Sequence, residues 1–215
     1  MNDYVIQGIL MDGYEFLSSV IPLFILFVTL REKGQKNAKD GRLCLAVSAV
    51  FLVYLWGVFN FTGAGTICEP VQYGMSGGAF RQEKINLIPF SRGIDPVGYG
   101  LNIVLFLPFG FLLPLLWKET DSLCKTAAGG AMLSLLIEMS QLLNNRSTDV
   151  DDLILNTAGA VLGYAAFRIL DLISGGKIRG RINVRMGPVL FIAAAFLGRF
   201  FFFDEMGAAG FLYGF

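Results

Sequence analysis

Six blocks of mostly apolar residues, at 14–30, 43–61, 98–117, 123–143, 153–173 and 188–203, dominate this chain of 215 residues. A helix needs roughly 20 such residues to cross the ~30 Å hydrocarbon layer of a bilayer. Backbone N–H and C=O groups in lipid must be satisfied within the segment, so blocks of this length read as helices. A membrane β-barrel would instead show dyad alternation of apolar and polar residues, which these blocks lack. A soluble bundle could not cover so many apolar blocks when only 16% of the residues are charged. The expected fold is an all-α integral membrane protein, a helical bundle of about five to six transmembrane helices with a long outer loop. The 188–203 block is the weakest span, because it is short and contains Arg199.

Charge and residue usage remove several function classes. Lys plus Arg and Asp plus Glu are 17 each. No global field draws in nucleic acid, so no nucleic-acid partner is expected. The chain has no His, which excludes His-based triads, His metal ligands and His phosphotransfer. Cys44, Cys68 and Cys124 are scattered and odd in number. They suggest neither a disulfide framework nor a zinc site, and no metal site is assigned.

The charges between the blocks set an orientation. Asp3, Asp12 and Glu15 precede or open the first block without any Lys or Arg, the reverse of a basic signal-peptide n-region. Arg31, Lys33, Lys36, Lys39, Arg42, Lys118, Lys125, Lys177, Arg179, Arg181 and Arg185 fall in alternate loops. The other loops carry only Arg81, Lys84, Arg92 and Arg146. By the positive-inside rule this bias places both termini, the 62–97 loop and the 144–152 loop outside the cytoplasm of a multi-pass bacterial cell-membrane protein. The 62–97 loop is Gly-rich and then turns to Phe80-Arg-Gln-Glu-Lys-Ile-Asn-Leu-Ile-Pro-Phe90, and an extended stretch or short hairpin is expected over 79–90 against the helices. No repeat or low-complexity tract divides the chain, so residues 1–215 form a single membrane domain.

Polar residues inside the blocks carry the functional information, because an ionisable group in a membrane helix costs on the order of 3 kcal/mol. Ser134, Glu138 and Gln141 share a helix face. Asp152, Asn156, Gly159 and Gly163 share another, on the next helix. A short loop makes these two helices antiparallel neighbours, so their polar stripes can meet. Asn102 sits near the same end of its own block, above Pro108 and Pro114. Gly159 and Gly163 form a close-packing seam. Asp149, Asp151 and Asp152 exceed the one acid that a helix cap requires. Glu138, roughly a turn inside its span, needs either a pair, for which Arg146 is the candidate, or a proton. One shared polar pocket near the outer surface is the expectation.

Taken in order, Asn86-Leu-Ile-Pro-Phe90, Asn102 with Pro108-Phe-Gly110, Glu138-x-x-Gln141, and Arg146, Asp149, Asp152, Asn156, Gly159 and Gly163 at their spacing resemble the VanZ-like family of bacterial membrane proteins. The resembling core runs over about 43–173 and is most specific at 80–170, leaving 188–203 as an extra helix. The resemblance implies a Gram-positive cell-envelope protein associated with resistance to the glycopeptide antibiotic teicoplanin.

Two mechanisms fit these residues. In the leading one the pocket binds a lipid-linked cell-wall precursor, another lipid-linked envelope molecule or the lipoglycopeptide itself. Asn86, Asn102, Glu138, Gln141, Arg146, Asp149, Asp152 and Asn156 line it, and membrane lipids surround it. Arg146, with Arg92 if the loop folds over, meets a phosphate or carboxylate. The amides bond sugar or peptide groups. No cofactor is required, although a divalent cation is compatible with the acids. In the alternative, Glu138, Asp149 and Asp152 are catalytic, directly or through a cation, on a phospholipid or polyprenyl-phosphate. A third reading gives the Gly159/Gly163 seam to a partner protein.

Overall fold

The computed structural model describes residues 2–29, 38–72, 85–93, 95–144, 146–180, 182 and 184–214. The elements run α1 (Asn2–Thr29), α2 (Ala38–Thr62), α3 (Glu69–Gln72), β1 (Ile85–Asn86), α4 (Pro96–Leu116), α5 (Leu123–Gln141), β2 (Thr148–Asp149), α6 (Val150–Ile173), α7 (Pro188–Phe202) and α8 (Glu205–Tyr213). The protein is an all-α membrane bundle. Four described helices are long and apolar enough to cross a membrane: Val5–Leu26, Arg42–Thr62, Pro96–Leu116 and Val150–Ile173. Val5, Ile6, Ile9 and Leu10 are all exposed. They carry the apolar face of α1 back past the acidic residues, so the helix begins well before position 14.

The other two expected spans differ from these four in kind. Lys125, Ser134, Glu138 and Gln141 dilute the hydropathy of α5. Its polar side is turned onto neighbouring helices, not toward lipid. The 15 residues of α7 reach about 22 Å at ~1.5 Å per residue, short of the hydrocarbon thickness. Of the basic residues used for orientation, Arg31, Lys33, Lys36, Arg81, Lys84 and Arg181 lie outside the described residues.

Packing follows residue size. A Cβ on Gly159 or Gly163 of α6 would strike the Ile103 or Leu107 carbonyl of α4, and one on Gly110 would strike the Ala160 backbone. These glycines therefore let α4 and α6 approach to backbone contact. The seam expected for a neighbouring helix is filled by α4 from the same chain, so it is not a face for a partner protein. Around this pair, Phe51, Phe109, Trp117 and Phe191 form an aromatic core. The Phe51 ring centre lies 5.5 Å from Trp117 and 5.7 Å from Phe191. The Trp117 indole N–H donates to the Met186 carbonyl at 2.5 Å, fixing the start of α7.

Candidate functional site

The ends of α2, α5 and α7 meet the starts of α4 and α6, and the polar residues gather there. Asp149 is the N-cap of α6, accepting from the Asp151 N–H at 3.0 Å, with Val150 as the first helical residue. Glu138 is 5% exposed. Its Oε2 accepts the Asp149 N–H at 2.9 Å, and its own carbonyl accepts the Thr148 hydroxyl at 3.1 Å. The turn from α5 into α6 is thus stitched to one buried carboxylate.

The 85–93 segment folds over this turn. It forms no hairpin with itself. Ile85 and Asn86 pair in parallel with Thr148 and Asp149. The Asn86 amide donates to both Asp149 oxygens at 3.1 Å, and Arg92 lies 3.8 Å from Asp149. Residues 79–84 of the expected extended stretch lie outside the described residues. Asp151, passed over among the candidate residues, is the main clasp. It is 4% exposed and accepts the Phe90 N–H at 2.7 Å and the Tyr99 hydroxyl at 2.9 Å. Phe90 sits at φ 56°, a backbone state that a bulky residue rarely adopts unless its surroundings hold it there. Tyr99→Phe is expected to speed amide hydrogen exchange over 86–92. Unchanged exchange would show that the Tyr99–Asp151 bond does not hold the segment.

The remaining expected residues divide. Asn102 donates to Asp152, and Asn156 donates to Ser134 at 3.0 Å. Helices α4, α5 and α6 are tied by these bonds, as the shared stripes implied. Asn156 Oδ1 is buried without a hydrogen-bond partner among the described residues. Gln141 turns away from this group and donates to the Thr62 carbonyl at 2.7 Å.

Arg146 requires a correction. It does not pair with Glu138, whose Oε2 the Asp149 N–H occupies. The turn after α5 carries Arg146 to the end of α2, where its guanidinium lies over Gly63 in space that a Cβ would fill. Gly63 also holds φ 60°, which glycine adopts at little cost. There Arg146 lines a second polar space, a cavity of about 380 Å³ also lined by Glu15, Asn60, Glu69, Asn144 and Arg199. The single pocket expected from sequence is therefore two neighbouring groups. One is a carboxylate–amide network around Glu138. The other is an open cavity around Arg146.

The cavity rests on an ion pair from the two ends of the chain. Arg199 Nε lies 2.6 Å from Glu15 Oε1, and Asn60 donates to Glu15 Oε2 at 2.6 Å. The Arg199 guanidinium also donates to the Ala64 carbonyl. Glu69 Oε2 accepts the Thr66 N–H at 2.9 Å. Burial pushes the Glu69 carboxyl above its ordinary range. The Thr66 N–H, Arg199 and Asn144 oppose the shift, and Glu205 adds to it. Glu15, Asn60, Glu69 and Arg199 were not singled out as site residues. The signal was present for Glu15 and Arg199, since each is an ionisable residue in an apolar block and requires a partner.

Chemically, the Glu138 network is largely satisfied from within. Asp149 caps α6 and accepts from the Asn86 amide. Among the described residues no three His, Cys, Asp or Glu side chains are grouped to hold a metal ion. The cavity, by contrast, is open and presents both signs of charge.

Residues 25–171 match the family described as VanZ/LLP1. A relative from Enterococcus faecium, Protein VanZ, is 31% identical over 114 residues, covering 53% of this chain and 70% of its own length. No solved structure matches the chain.

Proposed function

The chain belongs to the VanZ/LLP1 family, and on that premise we propose that it binds a lipid-linked envelope molecule, or a lipoglycopeptide such as teicoplanin, at the outer face of the bacterial cell membrane. The observation that carries this reading is the mixed-charge cavity of about 380 Å³ at one end of the bundle. Arg146 meets the phosphate or carboxylate of the headgroup, and Asn60 and Asn144 supply amide contacts. The exposed apolar face of α1, with Ile9, Leu17 and Ile21, accommodates the acyl or prenyl chain. Glu138, Asp149, Asp152, Asn86 and Asn102 act one step back, fixing the turn that presents Asn144 and Arg146. Resistance then follows from sequestering the drug or shielding its lipid-linked target.

Arg146→Ala is expected to lower teicoplanin resistance at least about fourfold in a strain dependent on this protein, and to reduce co-purifying lipid by a similar factor. Glu138→Gln keeps the shape of the side chain but puts an amide where the carboxyl accepts the Asp149 N–H, and a smaller loss is expected. Arg146→Ala protein that is expressed at normal level, yet leaves both susceptibility and co-purifying lipid unchanged, ends the binding reading.

A further inference from the structure

The segments flanking the family-matched stretch build part of the cavity. Asn60, Gly63, Glu69, Asn144 and Arg146 lie within residues 25–171, whereas Asp12, Glu15, Arg199 and Glu205 lie outside it. Glu15 and Arg199 neutralise each other at 2.6 Å, and Glu69 is buried beside them. The exposed charges at the opening are Arg146, from the turn after α5, and Asp12 and Glu205, from α1 and α8, while Glu69 lines the cavity from within. None of the three exposed groups forms an ion pair among the described residues. One guanidinium facing two carboxylates across the same opening suits a ligand that carries both signs of charge. A purely anionic headgroup would meet Arg146 but also two like charges, a juxtaposition that costs affinity.

We infer that the cavity takes an amphiphile whose headgroup carries a primary ammonium next to its phosphate or carboxylate, with the acid on Arg146 and the ammonium between Asp12 and Glu205. This rests on the binding reading above and adds the charge type of the ligand. It also assigns selectivity to α1 and α8, the elements that supply both carboxylates. The ammonium contacts are exposed, so the preference they confer is moderate, about fivefold or ~1 kcal/mol.

Native mass spectrometry of the full chain in detergent tests the inference with two dioleoyl lipids, one with a phosphoethanolamine and one with a phosphoglycerol headgroup. The ethanolamine lipid is expected to bind about fivefold more tightly, and Asp12→Asn with Glu205→Gln to bring the two within about twofold. Both substitutions are on exposed side chains and leave the Glu15–Arg199 pair intact. Arg146→Ala is expected to weaken both lipids alike. Water-soluble phosphoethanolamine, lacking the chains, is expected to compete poorly; if it competes as well as the lipid, the ligand is not an amphiphile and the inference falls. Equal binding of the two lipids, each still weakened by Arg146→Ala, overturns the ammonium assignment and leaves the binding reading standing. Binding of neither lipid, or binding indifferent to Arg146, overturns both.

Discussion

Arg199→Ala is expected to destabilise the bundle by about 3–5 kcal/mol, the usual cost of removing one partner from a buried ion pair. The two side chains are 6% and 3% exposed, so Glu15 would be left buried without its ion-pair partner, with Asn60 donating to only one of its oxygens. Two further attachments would go at the same time. The bond from Arg199 to the Ala64 carbonyl holds the end of α2, and the guanidinium stacks on Phe203 at 5.3 Å. Thermal unfolding followed by tryptophan fluorescence in detergent would read a fall in Tm of roughly 10 °C. Removing both charges in Glu15→Gln with Arg199→Met should recover part of that loss, because no unpaired charge then remains buried. A fall in Tm below about 2 °C for Arg199→Ala would mean that the pair contributes little. Arg199→Lys should rank between wild type and Ala, since an ammonium keeps the charge but cannot reach Glu15 and Ala64 together.

Gly163→Val is expected to be at least as damaging, above about 3 kcal/mol, for a different reason. The collision is with the backbone of α4, at the Leu107 carbonyl and the Phe111 N–H. A backbone cannot rotate aside as a side chain can, so α4 and α6 must separate. Separation at this seam would also pull Asn102 from Asp152 and loosen the start of α6. Gly8→Ala is the control: a Cβ there meets nothing within 4 Å. It should be neutral or stabilise by up to about 1 kcal/mol, since Ala is the better helix former. Size-exclusion profiles and Tm of the two variants in the same detergent separate the outcomes. A folded Gly163→Val protein with unchanged Tm would refute the close α4–α6 contact.

The two cases differ in how readable they were. Gly159 and Gly163 could be read from sequence because a spacing of four on a helix is a local property: it puts two small residues on one face wherever the helix packs. The same holds for Ser134 and Asn156, which meet because their helices are consecutive and antiparallel, and for a cap among Asp149, Asp151 and Asp152; that Asp149 is the one follows only from the helix starting at Val150, ahead of the apolar block. Arg146 was misassigned because its side chain leaves a turn, where no periodicity fixes direction. Glu138 was the nearer candidate along the chain, but the backbone N–H of Asp149, just past Arg146, took that carboxylate first. Asp151 was seen as an acid in excess of capping need, yet its clasp on Phe90 and Tyr99 depends on a loop with no regular pattern.

Residue pattern alone determined that this chain is an all-helical membrane bundle, where most of its helices lie, which glycines make its tightest seam, and that α4, α5 and α6 share a polar end. Those features depend on hydropathy and on the 3.6-residue period, which neighbouring residues impose on one another. Only the tertiary structure decided that the polar residues form two groups instead of one, and that Glu15 and Arg199, 184 positions apart, close the cavity. A buried charge demands a partner of opposite sign but does not say which one. That choice is made by the helices that come to lie side by side.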